Sequence, residues 1–225
     1  DNDLWGTDTT FGFQSAIGLA TEVIDCIHTT AASHNRVFMV EIMGHKAGWL
    51  TLNAGIAGGA DIILIPEIPY NIDSVIAKIR QRAASGNGFT ILAVAEGAIS
   101  QKEAAMSKKE YKQHMAEVLE KYPSVSYAIA DKILKKTGKE VRVTVPGHMQ
   151  RGGAPCAYDR VLSSRLGTTA ALMISRDEYG SMVAIQNHVI TSVPLKEIAG
   201  KLKTIDPKSD IITEARLLGI SFGDD

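Results

Sequence analysis

The chain of 225 residues is 45% hydrophobic, enough to bury one substantial core or two small ones, and this excludes a disordered polypeptide. Its 24 Lys plus Arg against 25 Asp plus Glu leave no basic excess for neutralising a nucleic-acid backbone, so any anion has to be met by a local cluster. Cys26 and Cys156 match no metal-ligand spacing, no apolar run reaches membrane-spanning length and residues 1–10 lack a signal-peptide pattern, so a reduced, cytoplasmic setting without nucleic-acid or membrane partners is expected.

Phe13, Ile17, Ala20, Ile24 and Ile27 recur at helical spacing and predict a helix over 13–27, with Asp8, Thr9 and Thr10 available as caps. RVFMVEI (36–42), DIILIP (61–66) and FTILAVAE (89–96) are short, rich in β-branched residues and apolar almost throughout, as are parallel strands covered on both faces. Between them, 48–58 and 72–85 have helical periodicity, the second placing Ile72, Val75, Ile76, Ile79 and Ala83 on one side. This alternation predicts a doubly wound, mainly parallel α/β sheet. The glycines of GIAGGAD (55–61) precede a strand, whereas a phosphate loop follows one and opens a helix. They read, like GNG at 86–88, as tight helix-to-strand connections.

The rhythm breaks over 100–138, where 102–122 and 124–138 predict two consecutive helices, with Pro123 between them and Gly138 as a stop. Mixed charges along the first mark a solvated face. EVRVTVPG (140–147) alternates, with Val141, Val143 and Val145 toward a core and Arg142 and Thr144 outward. MVAIQN (182–187) is the last clear strand.

Ligands of open parallel sheets gather beyond the carboxyl ends of the strands, where Glu41, Glu67, Glu96 and the turn at Met43 and Gly44 fall. Glu67 reads as a structural cap or ion pair, while position alone leaves Glu96 open between structure and ligand. DND at 1–3 groups two carboxylates and an amide. As a bare tripeptide it signals a turn; beside a phosphate site it suits proton removal and the handling of a metal-phosphate complex. HMQRGGAPCAYDR (148–160) sets His148 and Arg151 beside Gly152 and Gly153, a cationic pair on a backbone that a bulky anion can approach. With Arg36 and Arg142 it forms an anion set suited to a sugar phosphate, since guanidinium groups bind oxygen pairs bidentately.

DND, SHNR at 33–36, VEIMGHKAGW at 40–49 and HMQRGGAPCAYDR occur in an order and spacing that resemble the 6-phosphofructokinase family along nearly the whole chain. The resemblance implies glycolytic transfer of a phosphoryl group from ATP or pyrophosphate to the C1 hydroxyl of fructose 6-phosphate, with Mg2+. It implies Asp1 as the group taking the C1 proton and Asp3 as support for the metal. Glu96 and the Met43–Gly44 backbone would hold the sugar, and His148 and Arg151 its 6-phosphate. Arg36 and Arg142 would reach that phosphate from a neighbouring subunit of a homodimer or homotetramer. It also implies a catalytic segment at 1–12, a sugar-side α/β domain at 13–149 with a helical insertion at about 100–138, a partial donor-side domain at 150–200 and a tail at 201–225 returning to the first domain. The family's glycine-rich donor segments precede DND, so the 225-residue chain alone is expected to bind sugar phosphate without kinase turnover.

Two departures shape the expected variety. His45 stands where typical members have Arg, and SGNGF (85–89) stands where allosteric bacterial ATP enzymes are lysine-rich, so nucleotide effectors should bind poorly. With Trp49 and the helical insertion, this resembles the non-allosteric group, which includes many pyrophosphate users; the donor stays open. The rival reading is a non-catalytic regulatory or assembly module that keeps the fold and binds a sugar phosphate.

Overall fold

The computed structural model describes residues 1–31 and 36–224, so Ser33, His34 and Asn35 of the SHNR motif lie outside the described residues. The predicted apolar runs pair side by side. β1 (Val37–Ile42), β2 (Ile62–Leu64), β3 (Thr90–Ala95) and β4 (Val141–Thr144) form a parallel sheet in the order β2-β3-β1-β4. Every residue of β1, β2 and β3 is buried, as continuous apolarity requires when both faces are covered. Alternation along the strands divides them between two layers. Phe38, Val40 and Ile42 meet α1 (Phe13–Ala31) and α2 (Trp49–Ala57), whereas Val37 and Met39 meet α3 (Ile72–Ala84) and α6 (Val125–Thr137).

The chain's end returns to the first layer. Ile212 and Ala215 of α9 (Asp210–Leu217), with Ile220 and Phe222, join that core, and Ser221 forms a single parallel bridge with Ile62. After α7 (Ala157–Ser175), β5 (Ser181–Gln186) and β6 (Val189–Pro194) make an antiparallel pair, followed by α8 (Leu195–Ile198). No described helix is long and apolar enough to cross a membrane.

Several expectations need correction. The helix predicted over 102–122 is two, α4 (Gln101–Ala104) and α5 (Lys108–Lys121). Ser107 separates them: its hydroxyl accepts from the Glu110 amide at 3.3 Å while the Glu110 carboxylate accepts from the Ser107 amide at 2.9 Å, a reciprocal box that starts a new helix. Val145 was expected in the core but is 43% exposed, because β4 ends at Thr144 and the chain turns at Pro146. MVAIQN is not the last strand: Asn187 and His188, at φ 50° and 66°, form a two-residue left-handed turn into β6.

The carboxylate at the start of α1 also differs from the expected Asp8, Thr9 or Thr10. Asp159, in the first turn of α7, reaches back across 144 residues: its Oδ2 accepts from the Ser15 amide at 2.7 Å and the Ser15 hydroxyl at 2.6 Å. Asp8 instead accepts from the Asn187 amide at 2.6 Å. Burial opposes ionisation of Asp159, but the bonds from Ser15, the Gly12 amide and the Cys156 thiol outweigh it and hold its pKa below the usual carboxylate value. A depressed folded pKa stabilises the fold above the unfolded value, about 3.9, and that contribution is lost as pH falls through the folded value. Asp159→Asn should therefore lower stability at pH 7 by about 1.5 to 3 kcal/mol. Urea titrations followed by circular dichroism should show the gap persisting to about pH 4 and closing below it; a gap independent of pH would contradict the ionic role.

Candidate functional site

The ladder between β1 and β3 extends one residue further, with the Glu96 amide donating to Ile42 O at 2.9 Å. This sets the Glu96 side chain beneath the turn that leaves β1. Its Oε1 accepts from the Gly44 amide at 3.1 Å and the His45 amide at 2.7 Å. The approach is close: a Cβ at Gly97 would lie 2.2 Å from His45 O, so only glycine fits there. Gln150, buried at 3% exposure, ties in the next piece. Its Oε1 accepts from the Met43 amide at 3.3 Å and its Nε2 donates to Gly147 O at 3.2 Å, fastening the 3-10 turn Gly147–Arg151 that carries exposed His148 and Arg151. Met43, Gly44, Glu96, His148 and Arg151 are thereby gathered at the carboxyl end of the sheet.

Glu41, within β1, and Glu67, after β2, both serve the fold. Glu41 Oε2 accepts from the Ser124 hydroxyl at 2.6 Å and the Ser126 amide at 3.1 Å, at the start of α6. Glu67 accepts from the Gly48 amide with both oxygens, at 3.0 and 3.1 Å, and from the Ile205 amide at 3.1 Å, joining the start of α2 to the returning tail. Glu67 is thus a structural cap. Glu96 combines a partial exposure that buried Glu41 lacks with an oxygen, Oε2, that makes no hydrogen bond among the described residues, which Glu67 lacks.

The DND segment lies against the same turn. Arg151 donates to Asp1 Oδ1 at 2.7 Å, joining the first carboxylate to the cationic turn across 150 residues. Asn2 is buried in a left-handed conformation, φ 58°, and its Oδ1 accepts from the Thr10 amide at 3.1 Å. Asp1 and Asp3 line one cavity of about 430 Å³, together with Thr7, Thr10, Phe11 and Met182. The Asp3 carboxylate has no hydrogen bond or ion pair among the described residues. Among those residues no group of three or more His, Cys, Asp and Glu could hold a metal by itself. One or two carboxylates facing an open cavity fit instead a magnesium ion that arrives with, and shares the oxygens of, a phosphate.

Arg36 and Arg142 lie elsewhere. Glu140 receives both, Arg36 Nε at 2.8 Å on one oxygen and an Arg142 terminal nitrogen at 2.5 Å on the other. Arg36 precedes β1, and Arg142 pairs with Phe38, the second residue of that strand. They therefore sit at the amino end of the sheet, with β1, about 17 Å long at 3.3 Å per residue, between Arg36 and Met43. The expected site residues thus fall into two groups that one chain does not bring together. Gln150 and Glu140, which hold those groups, escaped the sequence reading; Gln150 lies inside the HMQRGG motif, but only its burial reveals its part.

A family model described as Phosphofructokinase matches residues 1–174. The chain is 51% identical over 224 residues to an ATP-dependent 6-phosphofructokinase of Spirochaeta thermophila and 48% identical over 225 residues to one of Chloroflexus aggregans. Each match covers 100% of this chain and 61% of the relative, so the chain spans about three fifths of the length of these relatives. The structure is similar to Saccharomyces cerevisiae phosphofructokinase, with a TM-score of 0.71 and 33% identity over 88% of this chain and 25% of that one. The pyrophosphate-dependent phosphofructokinase of Nitrosospira multiformis shares the fold, with a TM-score of 0.73 at 19% identity over 94% of this chain and 54% of that one. More than three quarters of the chain matched by one family model, and half of its residues identical to those of a relative, lead to one conclusion: the chain belongs to the phosphofructokinase family.

Proposed function

We propose that this chain is the sugar-binding and catalytic-base portion of an ATP-dependent 6-phosphofructokinase, which moves a phosphoryl group to the C1 hydroxyl of fructose 6-phosphate. The observation that carries the reading is the 2.7 Å contact between Asp1 and Arg151, which places a candidate base beside a candidate phosphate anchor at the carboxyl end of the sheet. The names of the relatives favour ATP over pyrophosphate as donor. Magnesium bound to that donor supplies charge neutralisation for the transferring group.

Asp1 accepts the proton of the C1 hydroxyl, and Asp3 faces the metal-bound phosphate from the same cavity. The free Oε2 of Glu96 accepts from a sugar hydroxyl while its Oε1 keeps the Met43–Gly44 turn in place. His148 and Arg151 bind the 6-phosphate. The Asp1–Arg151 pair is half open to solvent on the arginine side, 45% exposed, and such pairs are worth about 0 to 1 kcal/mol. Charge-assisted bonds to a phosphate are worth about 1.5 to 3 kcal/mol each, so an incoming 6-phosphate draws Arg151 away and leaves Asp1 free as a base. Arg36 and Arg142 complete the phosphate site of a second copy, since within one chain the sheet keeps them from it. The domain division at 1–12, 13–149, 150–200 and 201–225 belongs to the same reading.

Arg151→Ala and Glu96→Gln should each weaken fructose 6-phosphate binding about tenfold or more in calorimetric titration, the size expected for losing a charge-assisted bond. Glu67→Gln should leave affinity unchanged while lowering stability. Unaltered affinity in both site variants would remove the sugar-phosphate assignment.

A mixture of full-length Asp1→Ala and Arg142→Ala proteins, each inactive alone, should regain activity once subunits exchange, because some mixed sites are intact. If native mass spectrometry confirms exchange and activity stays at the level of the separate variants, Arg142 does not act across a subunit boundary.

A further inference from the structure

Lys203 lies in the returning tail, 200 positions from the DND segment, yet its ammonium and its amide both donate to residues 2–8. Its ammonium donates to Asp8 O at 2.5 Å, Thr7 O at 3.0 Å and Asn2 Oδ1 at 3.2 Å. Its amide donates to Asp3 O at 2.9 Å, and its carbonyl accepts from the Trp49 indole at 2.9 Å. The Trp49 ring also lies 5.3 Å from the ammonium. Flanking contacts run the same way: Leu202 bridges Leu4, and the Lys201 ammonium sits 4.0 Å from the centre of a Trp5 ring.

An ammonium has three donors, and here each meets an oxygen of one turn, none of them a carboxylate. An ion pair would be satisfied by one acid at many positions. Three separate backbone and amide oxygens instead fix the path of residues 2 to 8. Asn2 shows what is being held: its left-handed backbone is a cost for a residue with a side chain, and its Oδ1 is shared between Lys203 and the Thr10 amide. The carboxylates of Asp1 and Asp3 flank this pinned residue. Burial lowers the Lys203 pKa, with Asp8 opposing, which marks a cation placed at some expense where a neutral side chain would avoid it.

We propose that Lys203 is the positioning residue for the two carboxylates of the DND segment, setting the aim of Asp1 and Asp3 without touching substrate. The proposal rests on the phosphofructokinase reading for its catalytic consequence, though not for the pinning itself. Phosphoryl transfer depends on near-attack geometry, and a misplacement of about 1 Å can cost a hundredfold in rate.

The test uses the full-length protein carrying Lys203→Met and, as a comparator that keeps the charge, Lys203→Arg. Hydrogen exchange by mass spectrometry should show protection over residues 1–10 falling about tenfold or more in Lys203→Met, with β3 unchanged as proof of folding. In the same variant kcat should fall about tenfold to a hundredfold while KM for fructose 6-phosphate stays within about threefold, and Lys203→Arg should recover part of both losses. Unchanged protection over 1–10 would overturn the pinning whatever the activity. Lost protection with kcat intact, or Arg behaving no better than Met, would overturn the positioning role. A wild-type protein without sugar-phosphate kinase activity would sink the functional reading instead, and the exchange measurement would still decide the pin.

Discussion

A parallel sheet sends every strand start to one end and every strand finish to the other, and this one constraint arranges most of what the chain can do. Glu96, the Met43–Gly44 turn and the Gly147–Arg151 turn all leave finishing ends, so they converge without long loops. Arg36 and Arg142 belong to starting ends and are held there as a pair by Glu140. No bending of a sheet buried on both faces brings the two sets together. A site that uses both needs two copies, and the half-sites of one copy are then offered to different partners.

Within the carboxyl end, backbone amides matter more than surface charge. Leaving a buried amide unpaired costs about 1 to 3 kcal/mol, whereas an exposed ion pair contributes about 0 to 1 kcal/mol. Glu41, Glu67 and Glu96 therefore do their structural work by accepting from amides, each joining two segments distant in sequence. The arrangement is rigid where carboxylates meet amides and changeable where Arg151 meets Asp1. That contrast suits a site in which the turns must stay put while one arginine moves from a carboxylate to a phosphate.

The layered sheet was legible because apolar runs such as ILAVA and VFMV report burial on both faces directly, and the helices because their apolar spacing repeats. What stayed hidden was set by partners far along the chain or by competing local chemistry. The Asp159 bond to Ser15 spans 144 residues and the Lys203 bonds to the first turn span nearly 200, so no local pattern could announce them. Ser107 with Glu110 was a readable capping box that the long charged helical period masked, and VITSV was a short, β-branched strand without clear alternation, hidden behind a two-residue turn without glycine. Among the three carboxylates near strand ends, spacing could not separate a cap from a ligand. Bonds and burial together do so, by leaving one oxygen free on a Glu96 that is partly exposed, where Glu41 is buried and Glu67 has both oxygens bonded.

The central claim is that the sugar phosphate sits at the carboxyl end of one copy's sheet and is closed by the amino end of another's. A crystal structure of the full-length protein with fructose 6-phosphate tests it most directly. The account predicts the 6-phosphate bonded to His148 and Arg151 of one subunit and to Arg36 and Arg142 of the next, with Arg151 released from Asp1 and the C1 hydroxyl facing Asp1. A 6-phosphate bound wholly by one subunit, or a sugar seated away from Glu96, would contradict it.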